Sequence, residues 1–584
     1  VSFADPIDHF VATTLDEVGP AVAAAEAAAL AGQWVVGMVS YDAGPAFDSA
    51  IDSHRADNVP LVAMASFSEA RPSRGPAGRT FSTGEWIPSN SQDEFEAAVR
   101  TIRGHIAAGE TYQVNYTMRL QADFEGDPEG LFAALCRAQR ADHLAFLDLG
   151  DAAVCSASPE LLIRRVGRQL ETRPMKGTRP RHPDPVIDRN LADELVTSEK
   201  DRAENTMIVD MARNDLGRIC EIGTVETTAL HSVESYPTVH QLTSTVIGQT
   251  DASLREIFDA TFPGASITGA PKVATSRIIT ALESLPRGIY TGAVGVIEPG
   301  GDAEFNIAIR TAWVDRTTGR ATYGVGGGIV WDSNETAEWN EAHDKARVLH
   351  RATRPFRLLE TLGWEPGAGP ILLDRHMERL AHSASHFGFD CDIEEVKRRL
   401  GAVRAEEPKR LRALLSPDGA LELQVLEMPP RSGAPRRLAL DSEPVSSHDE
   451  FLRHKTTRRD RYEQAAARFP DADDVIFWNE RGEITETATA NLVLVTNGEA
   501  RTPSHTSGLL PGTLRSELLA NRRIREAVLT FTDLQEADEV WAINSLRGWI
   551  PATVERVDDG LADTIGRLAH HHVTNTVEDH HLRR

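Results

Sequence analysis

The chain is poor in cysteine, in basic residues and in long apolar runs, and each shortage removes a class of function. Four cysteines (Cys136, Cys155, Cys220 and Cys391) are scattered over 584 residues without C-x-x-C spacing. That pattern gives neither a disulfide framework nor a zinc site, and it fits a reducing cytoplasm. None of the four stands in the Gly-x-Cys-x-Gly setting of a glutaminase nucleophile. Lys and Arg number 62 against 87 Asp and Glu, a formal charge of −25. Binding phosphates requires a basic face, so no nucleic-acid partner is expected. The Ala-rich run from Ala21 to Ala31 is short and carries Glu26, so it reads as a helix and no membrane span is expected. The N-terminus lacks the basic-then-apolar order of a signal peptide, and no internal repeat divides the chain.

What is present implies at least two cores, because the chain is too long for one ordinary domain. Ser91-Gln92-Asp93-Glu94 has the form of a capping box, followed by Phe95, Val99, Ile102 and Ile106 on one helical face. That helix should end at Gly109, before a strand over Tyr112–Leu120. A second helix is expected across Lys200–Asn214. From Gly292 to Val330 the pattern predicts three strands, broken at Pro299-Gly300-Gly301 and at Thr317-Thr318-Gly319. Sequential hairpins imply an antiparallel sheet, hence an α+β fold. A helix over Asn334–Arg351 closes this first unit, 1–352. A second unit, 353–568, opens near Thr353-Arg354-Pro355. In it Asp474–Trp478 and Glu483–Thr487 flank a turn, and Asn497-Gly498 marks another hairpin. The tail 569–584 holds His570, His571, His572, His580 and His581 with little apolar content; it reads as disordered, with metal binding as the alternative.

Four boxes in the first unit carry chemistry. They are Thr172-Arg173-Pro174-Met175-Lys176-Gly177-Thr178-Arg179, Lys200-Asp201-Arg202-Ala203-Glu204-Asn205, Ile267-Thr268-Gly269-Ala270-Pro271-Lys272 and Gly326-Gly327-Gly328-Ile329-Val330. In this order they resemble the chorismate-utilising enzyme family, which includes the anthranilate, isochorismate and aminodeoxychorismate synthases. A lysine in the P-x-K-G-T box is similar to the branch that forms aminodeoxychorismate; the other branches usually carry a small residue there. Chorismate is a dicarboxylate whose C4 hydroxyl must leave, which calls for a Lewis acid, a proton donor and fixed cationic donors. Asp201 and Glu204 are three residues apart on one predicted helix, as are Glu338 and Glu341 on another, so each pair shares a face. The resemblance implies Mg²⁺ held by Glu204 and Glu341, with Asp201 and Glu338 nearby or acting through water. It also implies Glu160 as the proton donor, His240 as a catalytic-site histidine, and Thr268, Tyr290, Arg310, Gly326 and Gly328 as substrate-binding positions. Gln113 stands where the water-adding members place a lysine base, and glutamine there disfavours water as nucleophile. Lys176 would attack C2 of chorismate as a neutral amine, and ammonia would then replace it at C4. The family draws that ammonia from a glutamine amidotransferase subunit, so such a partner is implied.

From Phe356 onward the chain resembles the fold-type IV pyridoxal-phosphate enzymes, built from two subdomains and typically dimeric, which would make this chain a homodimer through its second unit. The opening Phe356–Thr361 and His376-Met377-Glu378-Arg379-Leu380 match, and Arg379 is the implied phosphate ligand. Lys455 matches the lysine that carries pyridoxal 5′-phosphate. Glu486, in Gly482–Asn491, would face the pyridine nitrogen, and Thr513, Leu514 and Ser545 lie in segments that bind the phosphate. Transaminases and aminodeoxychorismate lyases share these residues. The combined reading is two-step synthesis of p-aminobenzoate, amination of chorismate followed by loss of pyruvate. Two rivals stay open: an anthranilate-type synthase joined to a class IV aminotransferase, and a non-catalytic partner of an amidotransferase.

Overall fold

The capping box at Ser91 forms as its pattern predicts. In the structure, a computed structural model, the Glu94 N–H donates to Ser91 Oγ at 3.3 Å and the Ser91 N–H donates to the Glu94 carboxylate at 2.8 Å. The helix Gln92–Ala107 follows, its Phe95, Val99 and Ile102 fully buried. It ends before Gly109, whose φ of +76° suits a residue without a Cβ. The structure describes residues 1–568 except 74, 77, 78, 140, 182–184, 237, 238, 355, 431–433, 448, 556–559, 562, 563 and 566. The His-rich tail lies outside the described residues. The chain divides into Val1–Pro355 and Phe356–Arg584.

In the first unit every strand pairing among the described residues is antiparallel, in one ten-stranded and one eight-stranded sheet. Helices Leu15–Leu30 and Leu254–Thr261 pack on the first sheet, where Phe258 meets Phe47, Phe262 and Phe305. Each such ring contributes about 1.5–3 kcal/mol by leaving water. Helices Gln92–Ala107, Pro128–Gln139 and Glu335–Thr353 cover the second sheet. Met38 and Val294 of the first sheet meet Val154 and Trp313 of the second. The unit is therefore layered helix, sheet, sheet, helix.

The three strands expected between Gly292 and Val330 are four: Ala293–Ile297, Ala303–Ile307, Thr311–Asp315 and Arg320–Ile329. The extra break falls at Ala308–Arg310, where Arg310 has a φ of +51°. No glycine or proline marks it in the sequence. Its cause is tertiary: Ala303–Ile307 belongs to the first sheet and Thr311–Asp315 to the second. The chain makes the same crossing between Ala152–Ser158 and Leu161–Val166. The two crossings are tied together. The Ile307 N–H donates to the Glu160 carbonyl at 3.0 Å, and the Ala157 N–H to the Arg310 carbonyl at 3.2 Å. The Ser158 hydroxyl adds a bond to the Ile307 carbonyl at 2.6 Å.

The second unit has a four-stranded antiparallel sheet with helices Leu373–Phe387 and Ile393–Gly401, then an eight-stranded sheet. The latter is mixed, with Arg436–Leu440 parallel to both Asp474–Trp478 and Gly548–Val554. The hairpin at Asn497-Gly498 forms with both residues at positive φ, 52° and 78°, as a two-residue turn of that type requires. Among the described residues no helix is long and apolar enough to cross a membrane.

Candidate active sites

In the first unit the two sheet crossings open onto a cavity of about 230 Å³, lined by Glu160, Lys176, Asp201, Glu204, Tyr290, Arg310, Gly326, Gly328, Glu338 and Glu341 among others. Glu160 sits at one crossing and Arg310 at the other. The Glu160 carboxylate accepts from Ser266 Oγ at 2.7 Å, and burial pushes its pKa up against the pull of Lys176 and Arg310. Arg310 Nε is buried without a partner among the described residues, so this guanidinium has capacity for an anion.

Lys176 reaches the cavity through an irregularity in register. Strand Met175–Pro180 pairs with Val239–Gln249, but the register shifts between Met175 and Thr178. Gly177 in that bulge has a φ of +92°, which frees Lys176 from the regular alternation. Its amine lies against Gly328, where any Cβ would collide with it. Gly326, likewise, leaves no room for a Cβ beside Tyr116 and Thr117. The Gly326 carbonyl accepts from Lys345 Nζ at 2.8 Å. At both positions the absence of a side chain is what the packing requires. Burial lowers the pKa of Lys176; Lys345 pushes the same way, and Glu204 and Glu341 oppose. Gln113 is fully buried, its amide beside Gly328 and Lys176 with no partner among the described residues.

The four acids share the cavity, brought by helices Glu199–Gly217 and Glu335–Thr353. They do not close around one point: among the described residues no three Asp, Glu, His or Cys side chains form a ready cage. Asp201 is held by Arg179 at 2.8 Å, Glu341 by Lys345 at 2.8 Å, and Glu338 accepts from Ser333 Oγ at 2.6 Å. Burial raises the pKa of Glu204, and burial together with Glu341 raises that of Glu338. Lys345 lowers that of Glu341. Crowded hard-oxygen donors of this kind fit Mg²⁺, which takes one or two carboxylates and completes its shell with water and substrate.

Three expected residues lie outside the lining: Gln113, buried behind Gly328, and His240 and Thr268. His240 does not line the cavity: strand alternation turns Gln241 toward it and His240 away. The imidazole is held instead by Ser235 Oγ at 2.8 Å and Asp188 Oδ1 at 3.0 Å. Thr268 is buried outside the lining, which takes its neighbours Ser266 and Ile267. Sequence reasoning missed Ser266, Arg179 and Lys345; only Lys345, four residues after Glu341, had a readable signal in its helical spacing.

The second unit contains a cavity of about 380 Å³, lined by Lys455, Glu486, Arg379, Thr513 and Ser545. Lys455 is brought down to about 8 by burial and the Arg379 charge. Glu486 is pushed up to about 8 by burial, while accepting from Tyr462 Oη at 2.9 Å and the Leu510 N–H at 3.2 Å. A buried carboxyl of this kind is stabilised as an anion by a cationic ring nitrogen placed against it. At the other end Arg379 makes a two-pronged contact with Glu360, 2.9 and 2.7 Å. His376 joins them through Glu360 at 2.6 Å, and its other nitrogen meets Ser545 Oγ at 3.1 Å and Thr513 Oγ1 at 3.2 Å. Despite burial, Arg379 and His376 hold Glu360 down at about 2. Leu514 packs its side chain into the core with Val493 and Ile543, leaving only its backbone to face a ligand. Glu360 and Tyr462 were missed, since neither has a spacing that betrays its partner. An amine, a ring-facing acid and a cluster of hydroxyl and guanidinium donors fit pyridoxal phosphate.

Comparison with known proteins agrees with this division. Residues 4–351 match the model for chorismate binding enzymes, and 357–554 that for amino-transferase class IV. Aminodeoxychorismate synthase component 1 of Salmonella typhimurium is 44% identical over 46% of this chain and 59% of its own length. Anthranilate synthase component 1 of Streptomyces coelicolor is 40% identical over 50% of this chain and 57% of its own. The chain thus spans less than two thirds of these relatives. Anthranilate synthase component I from Streptococcus pneumoniae shares the fold at a TM-score of 0.51 and 24% identity, over 60% of this chain and 91% of that one.

Proposed function

The chain belongs to the chorismate-binding enzyme family, and from that premise we propose that it makes p-aminobenzoate in two steps: amination of chorismate at C4, then loss of pyruvate. The observation that carries the reading is the Lys176 amine inside the first cavity, seated on Gly328 with its pKa lowered. Relatives of both product types match at about equal identity, so overall similarity does not choose between them, and the lysine at this point is what supports the amination reading.

In the first step Lys176 forms a bond to C2, the double bond shifts, and the C4 hydroxyl leaves as water with a proton from Glu160. Ammonia then bonds to C4 and the shift reverses, releasing the lysine, so the net change is chorismate plus ammonia to aminodeoxychorismate plus water. Arg310 and Tyr290 are suited to orient the substrate, with Gln113 beside Gly328 and Lys176. Glu204 and Glu341, with Asp201 and Glu338 near, would hold Mg²⁺, whose contribution is Lewis acidity at the substrate oxygens. Ammonia would come from a separate glutamine amidotransferase subunit, in keeping with the words "component 1" in the relatives' names.

In the second step Lys455 is suited to take the C4 proton, while Glu486 would face the ring nitrogen and Arg379, Thr513 and Ser545 would hold the phosphate. Pyridoxal phosphate, when bound, withdraws electrons from C4. The C3–O bond breaks, enolpyruvate leaves and becomes pyruvate, and the ring becomes aromatic. The test is product identity from chorismate, ammonium, Mg²⁺ and pyridoxal phosphate. p-Aminobenzoate with equimolar pyruvate is expected; anthranilate would overturn the first step, and aminodeoxychorismate that persists would overturn the second.

A further inference from the structure

Beyond the groups assigned to the cofactor, the second cavity carries an excess of arginine. Arg410, Arg412, Arg436, Arg458, Arg459 and Arg547 all line it. Several are occupied. Arg436 donates to Asp474 at 3.0 Å and to Thr489 at 2.9 Å, and Arg459 donates to the Ala488 carbonyl at 2.6 Å and lies over the Tyr462 ring. Arg410 and Arg547 differ. Both have a buried Nε with no hydrogen-bond partner among the described residues. They come from separate sheets of the unit, Arg410 from strand Lys409–Leu415 and Arg547 from the turn between Glu539–Asn544 and Gly548–Val554. Burial, Arg436 and Arg410 together lower the pKa of Arg547 and outweigh the opposing pull of Asp474, which is itself bonded to Arg436. Arg410 pairs with Gly363, four residues along its strand from Leu359, whose N–H donates to the Lys455 carbonyl at 2.9 Å, so Arg410 enters the cavity about 13 Å of strand away from the backbone of the reacting lysine.

We propose that Arg410 and Arg547 form a carboxylate subsite that receives the acid group of the substrate ring, remote from the amine that meets Lys455. This rests on the lyase reading and deepens it. An α-amino acid carries its carboxylate one carbon from the amine, whereas aminodeoxychorismate carries its ring carboxylate across the ring. A remote arginine pair favours the second arrangement, and guanidinium groups suit it because they bind carboxylates in two-pronged fashion. The subsite is thus what separates a lyase from an aminotransferase in a cavity whose cofactor residues are common to both.

The test uses the full-length holoenzyme and two probes of one shape, p-aminobenzoate and p-aminobenzamide, with binding read from the visible absorbance of the cofactor. Wild type is expected to prefer the acid. Arg410→Gln and Arg547→Gln should each weaken the acid by about 10- to 100-fold, the loss of one charged hydrogen-bonding partner, and leave the amide unchanged. Arg410→Lys should recover part of the loss, and an unchanged cofactor spectrum shows that each variant is folded. Equal affinity of wild type for acid and amide overturns the proposal, as does equal loss of both probes in the variants. The lyase reading fails in a different assay: wild type that releases no pyruvate from aminodeoxychorismate while converting α-amino acids into oxo acids.

Discussion

Each unit buries a lysine whose pKa is lowered, yet the two cavities surround it with opposite charge. Around Lys176 stand Asp201, Glu204, Glu338 and Glu341, partly balanced by Arg179 and Lys345. Around Lys455 stand seven arginines, with Glu486 the acid on the lining. The pKa of the first lysine is lowered chiefly by burial, with acids pulling the other way; that of the second by burial and cationic neighbours together. A free amine of the first kind can attack and be released, and its acids leave room for a metal ion. The second kind sits among arginines whose field suits anions such as a phosphate or a carboxylate. On the proposed function, the same residue type would serve as a transient nucleophile in one cavity and as the cofactor's anchor in the other.

The largest break in this comparison is expected from Lys176→Ala and Lys455→Ala. The first should end aminodeoxychorismate formation while leaving the release of pyruvate from added aminodeoxychorismate intact. The second should do the reverse and abolish the visible cofactor band. Chromatography of products from each substrate decides this, and loss of both activities in either variant would mean that the sites are not separate. Glu160→Gln should lower the first activity about 10²–10⁴-fold, as loss of a proton donor does.

Glu360→Ala sharpens the second cavity. It leaves Arg379 and His376 without their shared anion, a change worth about 3–5 kcal/mol, read by denaturant unfolding of the second unit. Because the folded pKa of Glu360 is depressed to about 2, its stabilisation is full above the ordinary carboxylate range and lost as pH falls toward 2. The gap between variant and wild type should therefore close in acid. Loading of stripped protein with pyridoxal phosphate should quicken as pH rises through about 8, where Lys455 loses its proton; a midpoint near 10 would contradict the burial argument. The smallest effect is expected from His240→Ala, less than about tenfold in the first activity, since that ring is bonded to Ser235 and Asp188 outside the cavity. A loss as large as that of Glu160→Gln would put His240 back in the chemistry.

Local patterns were legible wherever the cause is local. The Ser91 capping box, the Asn497-Gly498 turn and the acid pairs at three-residue spacing are all written within a few residues of sequence. The two chain crossings were not, because Pro159-Glu160 and Ile309-Arg310 change sheet for reasons that lie in distant strands. His240 and Gln241 could be told apart only by knowing which face of strand Val239–Gln249 meets the cavity. Glu360 joins Arg379 and His376 across 19 and 16 residues, a pairing that helix and strand periods do not encode. The space that Gly328 leaves was hidden for the same reason: the side chain that needs it is 152 positions earlier.

The bonds that tie the two crossings have a further consequence for how chemistry can diverge on this frame. Since the Glu160 carbonyl is bonded to Ile307 and the Arg310 carbonyl to Ala157, the interval between the acid and the guanidinium is set by main-chain atoms and behaves as a fixed gauge that side-chain replacement nearby leaves unaltered. Lys176 and Gln113 project from other strands and can be exchanged without recalibrating it. A new product then calls for changes at the movable jaws alone, while the measure of the ring is inherited unchanged.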